Sequence, residues 1–272
     1  MGAGTTWLVA ALLIGLGFVA ADGALPPTAV ATTTHANSPA WMSAGPRMGT
    51  STSVSDNWAG YVISTPNNAT TKVVGSWVEP SFHGSCGGFY NESVAVFWVG
   101  IDGWNSNTVE QIGTTVECYS VLYIASVSYS AWYEFYPAGM VSISMTIHPG
   151  DHITAEVSYS KTFASYTVSL KDTTTGTSFA TAITGITANR SSAEWIAEAP
   201  SNAFGVLAMA DFGTVHFSAA TATISGHSHP ISGFSNIEVT MWSTSYTFVK
   251  AVPSALGSTG KTFSVKWKSY GP

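Results

Sequence analysis

The chain has 272 residues but only 9 Lys and Arg and 15 Asp and Glu, so 9% of its residues are charged, against about 25% in a typical soluble domain. With a net charge of −6 and no basic run, the sequence excludes nucleic-acid binding. Hydrophobic residues make up 45% of the chain, yet beyond the N-terminus they alternate with Ser and Thr, which excludes a polytopic membrane protein. The 10 Trp, 11 Tyr and 13 Phe exclude a disordered chain.

The first element in chain order is an apolar run at residues 7–20, WLVAALLIGLGFVA, followed by small residues. This pattern predicts an export signal over residues 1–24, and an uncleaved N-terminal anchor is the alternative. Residues 25–53 are rich in Pro, Thr, Ala and Ser without strand or helix periodicity, which predicts a linker or short pro-segment. The folded domain is therefore expected over residues 54–272.

From Asn57 onward the sequence alternates aromatic or β-branched residues with Ser, Thr or Gly over segments of strand length. HPGD at 148–151 and KDTTTG at 171–176 are turn clusters between such segments, and no helical stripe of ten or more residues appears after residue 24. Many short strands at this spacing predict one all-β domain, an antiparallel sandwich or barrel. The strand segments include NWAGYVIS, KVVGSWVEP, AVFWVGID, SVSYSAWYEFYP, HITAEVSYS, SYTVSL, SAEWIAE, IEVTMWS and FSVKW.

The aromatic run at residues 129–136 places large rings at both odd and even positions. Either one face fills the core while the other lines an aromatic groove, or both faces are buried between two layers. Cys86 and Cys118 are the only cysteines. In an exported protein they predict one disulfide, with two buried thiols as the alternative.

Carboxylates are prominent because cations are so scarce. No Lys or Arg occurs between Val73 and Ser160, a stretch that holds eight Asp and Glu. Any of these carboxylates that is buried must be hydrogen-bonded by neutral donors or protonated, as acid–base catalysts often are. Glu134 in AWYEFYP and Glu194 in SAEWIAE lie within apolar segments, although each could also face solvent from an edge strand. A glycoside hydrolase, a lectin and a peptidase all remain compatible with this pattern.

Six blocks in order carry a more specific relationship. They are DNWAGYV (56–62), FWVGIDG (97–103), VEQIG (109–113), YSAWYEFYP (129–137), SAEWIAE (192–198) and ADFGTVHF (210–217). With these blocks the chain resembles, from about residue 54 to residue 267, the glutamic peptidase (eqolisin) family of secreted acid endopeptidases. The resemblance implies an antiparallel β-sandwich of two large sheets, a concanavalin-like jelly roll with a concave substrate cleft.

The resemblance also implies site residues. The catalytic Gln/Glu dyad of the family falls on Gln111 and Glu194, which lie 83 residues apart in sequence. Glu194 would accept a proton from the attacking water, while the neutral amide of Gln111 would stabilise the oxyanion. No metal or other cofactor is required. The residues expected to line or support the cleft are Trp58, Trp98, Asp102, Tyr133 and Glu134.

Function and surroundings follow as expectations. The chain is expected to be a secreted, monomeric endopeptidase that acts on protein or peptide substrates in acid, without stable membrane association after processing. Since few carboxylates can pair with cations, little ion-pair stability would be lost in acid. The alternatives from other classes are a carbohydrate-binding sandwich and a glycoside hydrolase that uses Glu134 and Glu194. His227 and His229 are expected to be loop residues and not metal ligands.

Overall fold

The computed structural model describes residues 50–271. The N-terminal apolar run, its cleavage zone and the linker up to residue 49 lie outside this range. The described chain is all-β apart from one 3-10 turn at Ile231–Gly233. No helix within it is long and apolar enough to cross a membrane. The strands are β1 Thr50–Ser55, β2 Trp58–Ser64, β3 Thr70–Val78, β4 Tyr90–Ile101, β5 Val109–Val121, β6 Ile124–Tyr136, β7 Val141–Ile143, β8 His152–Ser160, β9 Ser165–Asp172, β10 Ser178–Thr184, β11 Ser192–Glu198, β12 Ser201–Asn202, β13 Gly205–Val206, β14 Thr214–Ile224, β15 His227–Pro230, β16 Asn236–Trp242, β17 Val249–Pro253 and β18 Phe263–Trp267.

Hydrogen bonds join sixteen of these strands into one sheet, and β12 and β13 form a separate hairpin. The main path runs β10-β9-β8-β3-β14-β18-β17-β16-β2-β11-β4-β5-β6-β7, with β15 beside β14 and β1 beside β16. All strand pairs are antiparallel except β1 with β16. β1 starts at Thr50, so the sheet already includes the four residues before the boundary expected at residue 54.

The long sheet folds over so that its two halves form two packed layers. The indole Nε1 of Trp195 on β11 donates to the backbone carbonyl of Val74 on β3 (2.7 Å). Phe135 on β6 and Tyr166 on β9 meet edge to face at 6.1 Å. These contacts belong to the main core between the layers, which confirms the expected two-layer antiparallel fold. The jelly-roll connectivity stays an expectation, because the layers share one hydrogen-bonded sheet.

The strands β2, β4 and β11 are buried on both faces. One face packs into the main core, while the other carries a second, tryptophan-rich cluster. In the aromatic run of β6, Phe135 points into the main core and Trp132 belongs to the second cluster, because successive side chains of a strand alternate. Both faces of this layer are therefore apolar, and the second face holds the site described next.

The expected disulfide is confirmed. Cys86 and Cys118 are bonded, with Cα atoms 5.5 Å apart, so the loop before β4 is tied to the middle of β5. No cysteine in residues 50–271 is free.

Candidate active site

Four residues from four adjacent strands form one row across the sheet. Glu194 of β11 pairs with Gly100 of β4, Gly100 pairs with Gln111 of β5, and Gln111 pairs with Glu134 of β6. Residues directly opposite each other in adjacent strands point to the same face. The row therefore places the side chains of Glu194, Gln111 and Glu134 on one face, and all three are buried.

Gly100 separates Glu194 from Gln111 without a side chain of its own. The backbones of β11 and β5 lie two strand spacings apart, about 10 Å, so two long side chains can approach each other above Gly100. A Cβ at Gly100 would lie 2.8 Å from a ring carbon of Trp98, which is closer than such atoms approach. Glycine is thus required at this position by the ring beside it.

Gln111 is oriented by its neighbour in the row. Its amide Nε2 donates a hydrogen bond to Glu134 Oε2 at 2.6 Å, and both groups are buried. The amide nitrogen carries two hydrogens. The bond to Glu134 fixes the plane of the amide and hence the direction of the second N–H.

Glu194 has a different environment. No described donor lies within hydrogen-bonding geometry of either carboxyl oxygen. Burial raises its pKa well above the ordinary value, the nearby Ser192 hydroxyl lowers it, and the carboxyls of Asp102 and Glu110 raise it further. Glu194 is thus a carboxyl that favours its protonated form until polar groups solvate it.

Tryptophan rings lie beside the row on the same face. Trp58 and Trp98 contact edge to face with centroids 5.0 Å apart. Trp98 Nε1 donates to Glu198 Oε2 (2.8 Å), and Asn57 Nδ2 donates to Glu198 Oε1 (3.1 Å). Burial raises the pKa of Glu198 well above its ordinary value, and the Glu134 carboxyl adds to this shift.

The sequence analysis did not include Glu198 among the site residues. Four positions after Glu194 in SAEWIAE, it lies on the same face of β11, since strand side chains alternate with period two. That spacing was the signal from which Glu198 could have been found.

Asp102 supports the site from outside the row. It follows β4 with a φ of 71°, and its carboxylate accepts bonds from the backbone N–H of Arg190 (2.6 Å) and Ser191 (2.7 Å). The Ser191 hydroxyl donates a third bond at 2.8 Å. These bonds fix the segment that leads directly into β11, so Asp102 contributes to the placement of Glu194.

The structure does not bring Tyr133 into this group. Tyr133 pairs with Ile112 and therefore points to the opposite face, where its ring stacks on Phe179 at 5.6 Å. Its neighbour Glu134 faces the site for the same reason, the alternation of side chains along β6. The expectation that Tyr133 lines the cleft thus needs correction, because this side chain packs at the main core.

The arrangement combines a titratable carboxyl with a neutral, oriented amide on an aromatic floor. Such a pair can move a proton and donate a hydrogen bond to a developing negative charge. Within residues 50–271 no group of three or more His, Cys, Asp or Glu is placed to hold a metal ion. His227 and His229, which were expected in a loop, lie instead on the exposed strand β15, where pairing with β14 extends the chain, and their rings are 6.4 Å apart.

Comparison with known proteins identifies relatives of the chain and of its fold. Aspergillopepsin-2 of Aspergillus niger is 36% identical over 193 residues, which cover 63% of this chain and 66% of that protein, so the alignment spans just under two thirds of the relative. The crystal structure of aspergilloglutamic peptidase from Aspergillus niger is 30% identical with a TM-score of 0.55 and covers 65% of this chain and 99% of that one. A scytalido-glutamic peptidase structure with a transition-state analogue inhibitor shares the fold at 24% identity and a TM-score of 0.64, covering 78% and 98% of the two chains.

The sequence profile of the Peptidase A4 family matches residues 56–264, most of the described chain. The chain therefore belongs to the Peptidase A4 family.

Proposed function

We propose that this chain is a secreted, acid-acting glutamic endopeptidase whose catalytic dyad is Gln111 and Glu194. The observation that supports this most directly is the row Glu194–Gly100–Gln111–Glu134, which brings together residues 83 positions apart in sequence. Family membership supports the reaction class, and the disulfide supports an extracellular protein.

The proposed reaction uses one water and no covalent intermediate. The Glu194 carboxylate accepts a proton from water, and the water oxygen bonds to the scissile carbonyl carbon. The carbonyl oxygen becomes an oxyanion that accepts a hydrogen bond from the second N–H of Gln111, an interaction worth roughly 3–4 kcal/mol. Glu194 then returns its proton to the amide nitrogen as the C–N bond breaks, which releases an acid and an amine.

The environment of Glu194 sets the conditions for this chemistry. Because burial favours its protonated form, the base form requires solvation by the attacking water and by the Ser192 hydroxyl. The protonated form that follows is the one that delivers a proton to the leaving amine. A carboxyl that is easily protonated is suited to giving its proton to the leaving amine. The fraction of Glu194 that is ionised limits the first step, in which it accepts a proton from water.

The role of Glu134 distinguishes this proposal from a glycoside hydrolase. A two-carboxylate mechanism needs both carboxyls at the scissile bond, but Glu134 accepts a bond from Gln111 and lies three strands from Glu194. The strand spacing puts their backbones about 14 Å apart. We therefore assign Glu134 to the positioning of Gln111.

The test is digestion of casein at acid pH by the full chain and by the variants Glu194→Gln and Gln111→Ala, with pepstatin and a chelator present throughout. We expect activity in the unmodified protein despite both inhibitors, and its loss in both variants while β-sheet circular dichroism is retained. Full activity in either variant would show that the dyad is assigned wrongly. Release of reducing sugar without peptide release would instead support a glycoside hydrolase.

A further inference from the structure

A group of exposed apolar side chains lies at the end of the β4–β5–β6 ribbon. We call this group the apolar tip. Five of its members are 61–76% exposed, which is unusual for large apolar side chains that share one surface. The tip consists of Phe89, Tyr90, Tyr119, Val121, Leu122, Tyr123 and Ile124.

The tip is one continuous, fixed surface. Leu122 N–H donates to the Phe89 carbonyl (2.7 Å), so the loop before β4 lies against the hairpin turn. The rings of Phe89 and Tyr123 contact at 6.1 Å. The disulfide from Cys86 to Cys118 ties the same loop to β5. The apolar side chains are therefore held in place and do not belong to a loose loop.

The turn between β5 and β6 has a backbone conformation that is unfavourable for its two residues. Leu122 and Tyr123 join β5 to β6 with φ values of 49° and 65°. Two-residue hairpin turns with positive φ at both positions favour Asn-Gly, because a bulky side chain is strained there. Neither folding nor solubility explains two large apolar residues at exposed, strained positions, and such residues cluster at functional surfaces.

The charges around the tip restrict its partner. No Lys or Arg occurs between Val73 and Ser160, so the charged groups of the strands that form the tip are carboxyls. Glu92 accepts a bond from the Tyr90 hydroxyl (2.7 Å), and Glu117 lies in β5 just before the tip. A strongly anionic partner is therefore disfavoured, whereas a neutral apolar one fits.

The tip is far from the candidate active site. Ten residues of β4 separate Tyr90 from Gly100, which is about 33 Å along an extended strand. A partner at the tip would not contact the row of Glu194 and Gln111, so binding there and catalysis can be measured separately.

We propose that the apolar tip inserts reversibly into the headgroup region of an electrically neutral lipid surface. A projecting hairpin suits insertion into a soft surface better than docking into a protein groove. Aromatic residues, here three tyrosines and a phenylalanine beside Leu122 and Ile124, favour the interface between water and acyl chains. The contact is peripheral and reversible. It is therefore compatible with the expectation that the protein has no stable membrane association.

The experiment compares three forms of the full chain by co-sedimentation with phosphatidylcholine vesicles. The variant L122N/Y123G removes two tip side chains and installs the turn sequence that the backbone prefers. The control F163S removes a 74% exposed Phe from the turn between β8 and β9, near Tyr159, on whose ring Arg190 stacks. We expect the unmodified protein and F163S to sediment with the vesicles, and L122N/Y123G to partition at least about tenfold more weakly.

Two further readouts keep the interpretation clear. Casein digestion should be equal in all three forms, and the thermal midpoint of L122N/Y123G should be equal or higher because the turn is relieved. Equal partition of L122N/Y123G and the unmodified protein would overturn the proposal, as would binding to phosphatidylglycerol vesicles alone. The unmodified protein could instead fail to sediment with vesicles and form a dimer that L122N/Y123G does not form. The tip would then be an interface between two copies of this chain, and the lipid proposal would be wrong.

Discussion

Gln111 and Glu134 face each other across β5 and β6, and the amide Nε2 donates to the carboxyl Oε2 at 2.6 Å. This bond gives the amide a single orientation in a buried site. An amide that rotates cannot keep an N–H directed at the oxyanion. Glu134, although outside the proposed dyad, should therefore affect the rate of the reaction.

Substitution of Glu134 tests this positioning role. Glu134→Gln keeps an oxygen acceptor for Gln111, whereas Glu134→Leu removes it. We expect a modest loss of kcat in the Gln variant and a loss of about 100-fold in the Leu variant, the size found when an oxyanion donor is misplaced, with KM little changed. Equal and complete inactivation of both variants would mean that the Glu134 carboxyl itself takes part in proton transfer.

Gly100→Ala tests the gap between the dyad residues. The added Cβ would lie 2.8 Å from the Trp98 ring, and overpacking of this kind typically costs about 1–3 kcal/mol. We expect lower stability in urea and loss of most activity, since the Trp98 ring or the β4 backbone between Glu194 and Gln111 must shift. Gly87→Ala is the control, because its Cβ would meet nothing within 4 Å. A fully active Gly100→Ala variant would show that the glycine serves packing alone.

Ser192→Ala tests how Glu194 titrates. The Ser192 hydroxyl lowers the pKa of Glu194 against the upward effect of burial. Its removal should raise that pKa, so the acidic limb of the kcat/KM profile should move to higher pH while the plateau changes little. A profile that falls uniformly without a shift of its acidic limb would indicate a structural role only. The measurement is kcat/KM on one peptide across the acid range, with Ser191→Thr as a neighbouring control.

The sequence predicted the strands well because period-two alternation is a local property. It could not predict which strands become neighbours, and the site depends on this, since the row from Glu194 to Glu134 crosses four strands. Family resemblance supplied the dyad assignment, which stays a prediction. The resemblance also assigned both Tyr133 and Glu134 to lining or supporting the cleft, although alternation along β6 sends the two side chains to opposite faces.

Two features of the structure could not be predicted from local sequence patterns. The turn at Leu122–Tyr123 contains no Gly, Asn, Asp or Pro, so nothing in its sequence indicated a hairpin there. Glu110 lies in β5 between Ile101 of β4 and Phe135 of β6, and it is fully buried. The sequence shows how many carboxylates there are, but tertiary packing decides which of them are desolvated.

Asp102→Asn tests support of the dyad from the turn after β4. Asn keeps one acceptor oxygen and adds an N–H₂ where backbone N–H groups of Arg190 or Ser191 now donate. We expect a loss of about 1–3 kcal/mol in stability and about tenfold in kcat. Asp172→Asn is the matched control, since Asp172 accepts two backbone N–H bonds in the turn after β9. If both variants lose stability but neither loses kcat, Asp102 does not place Glu194.

The buried carboxyls also predict how stability depends on pH. Burial raises the pKa of Glu79 to about 8 and that of Glu110 to about 9, from 4.5. Above pH 4.5 these carboxyls lose their protons in the unfolded chain but retain them in the folded chain. Their contribution to the free energy of unfolding is therefore fully present below pH 4.5, and it is lost as pH rises toward 8 and 9. Burial lowers the pKa of Lys250 to about 8. Lys250 therefore makes the free energy of unfolding rise with pH, but only above about pH 8.

We therefore expect the thermal midpoint to drop by about 5 °C or more between pH 4.5 and pH 8. Glu110→Gln should flatten this dependence, because the amide does not titrate. Glu156→Gln is the control, since Glu156 forms an exposed ion pair with Lys72 and should leave the slope unchanged. The measurement is thermal unfolding followed by circular dichroism across this range. A midpoint that rises from pH 4.5 to pH 8, or a Glu110→Gln slope equal to that of the unmodified protein, would show that Glu110 ionises without cost in the folded state.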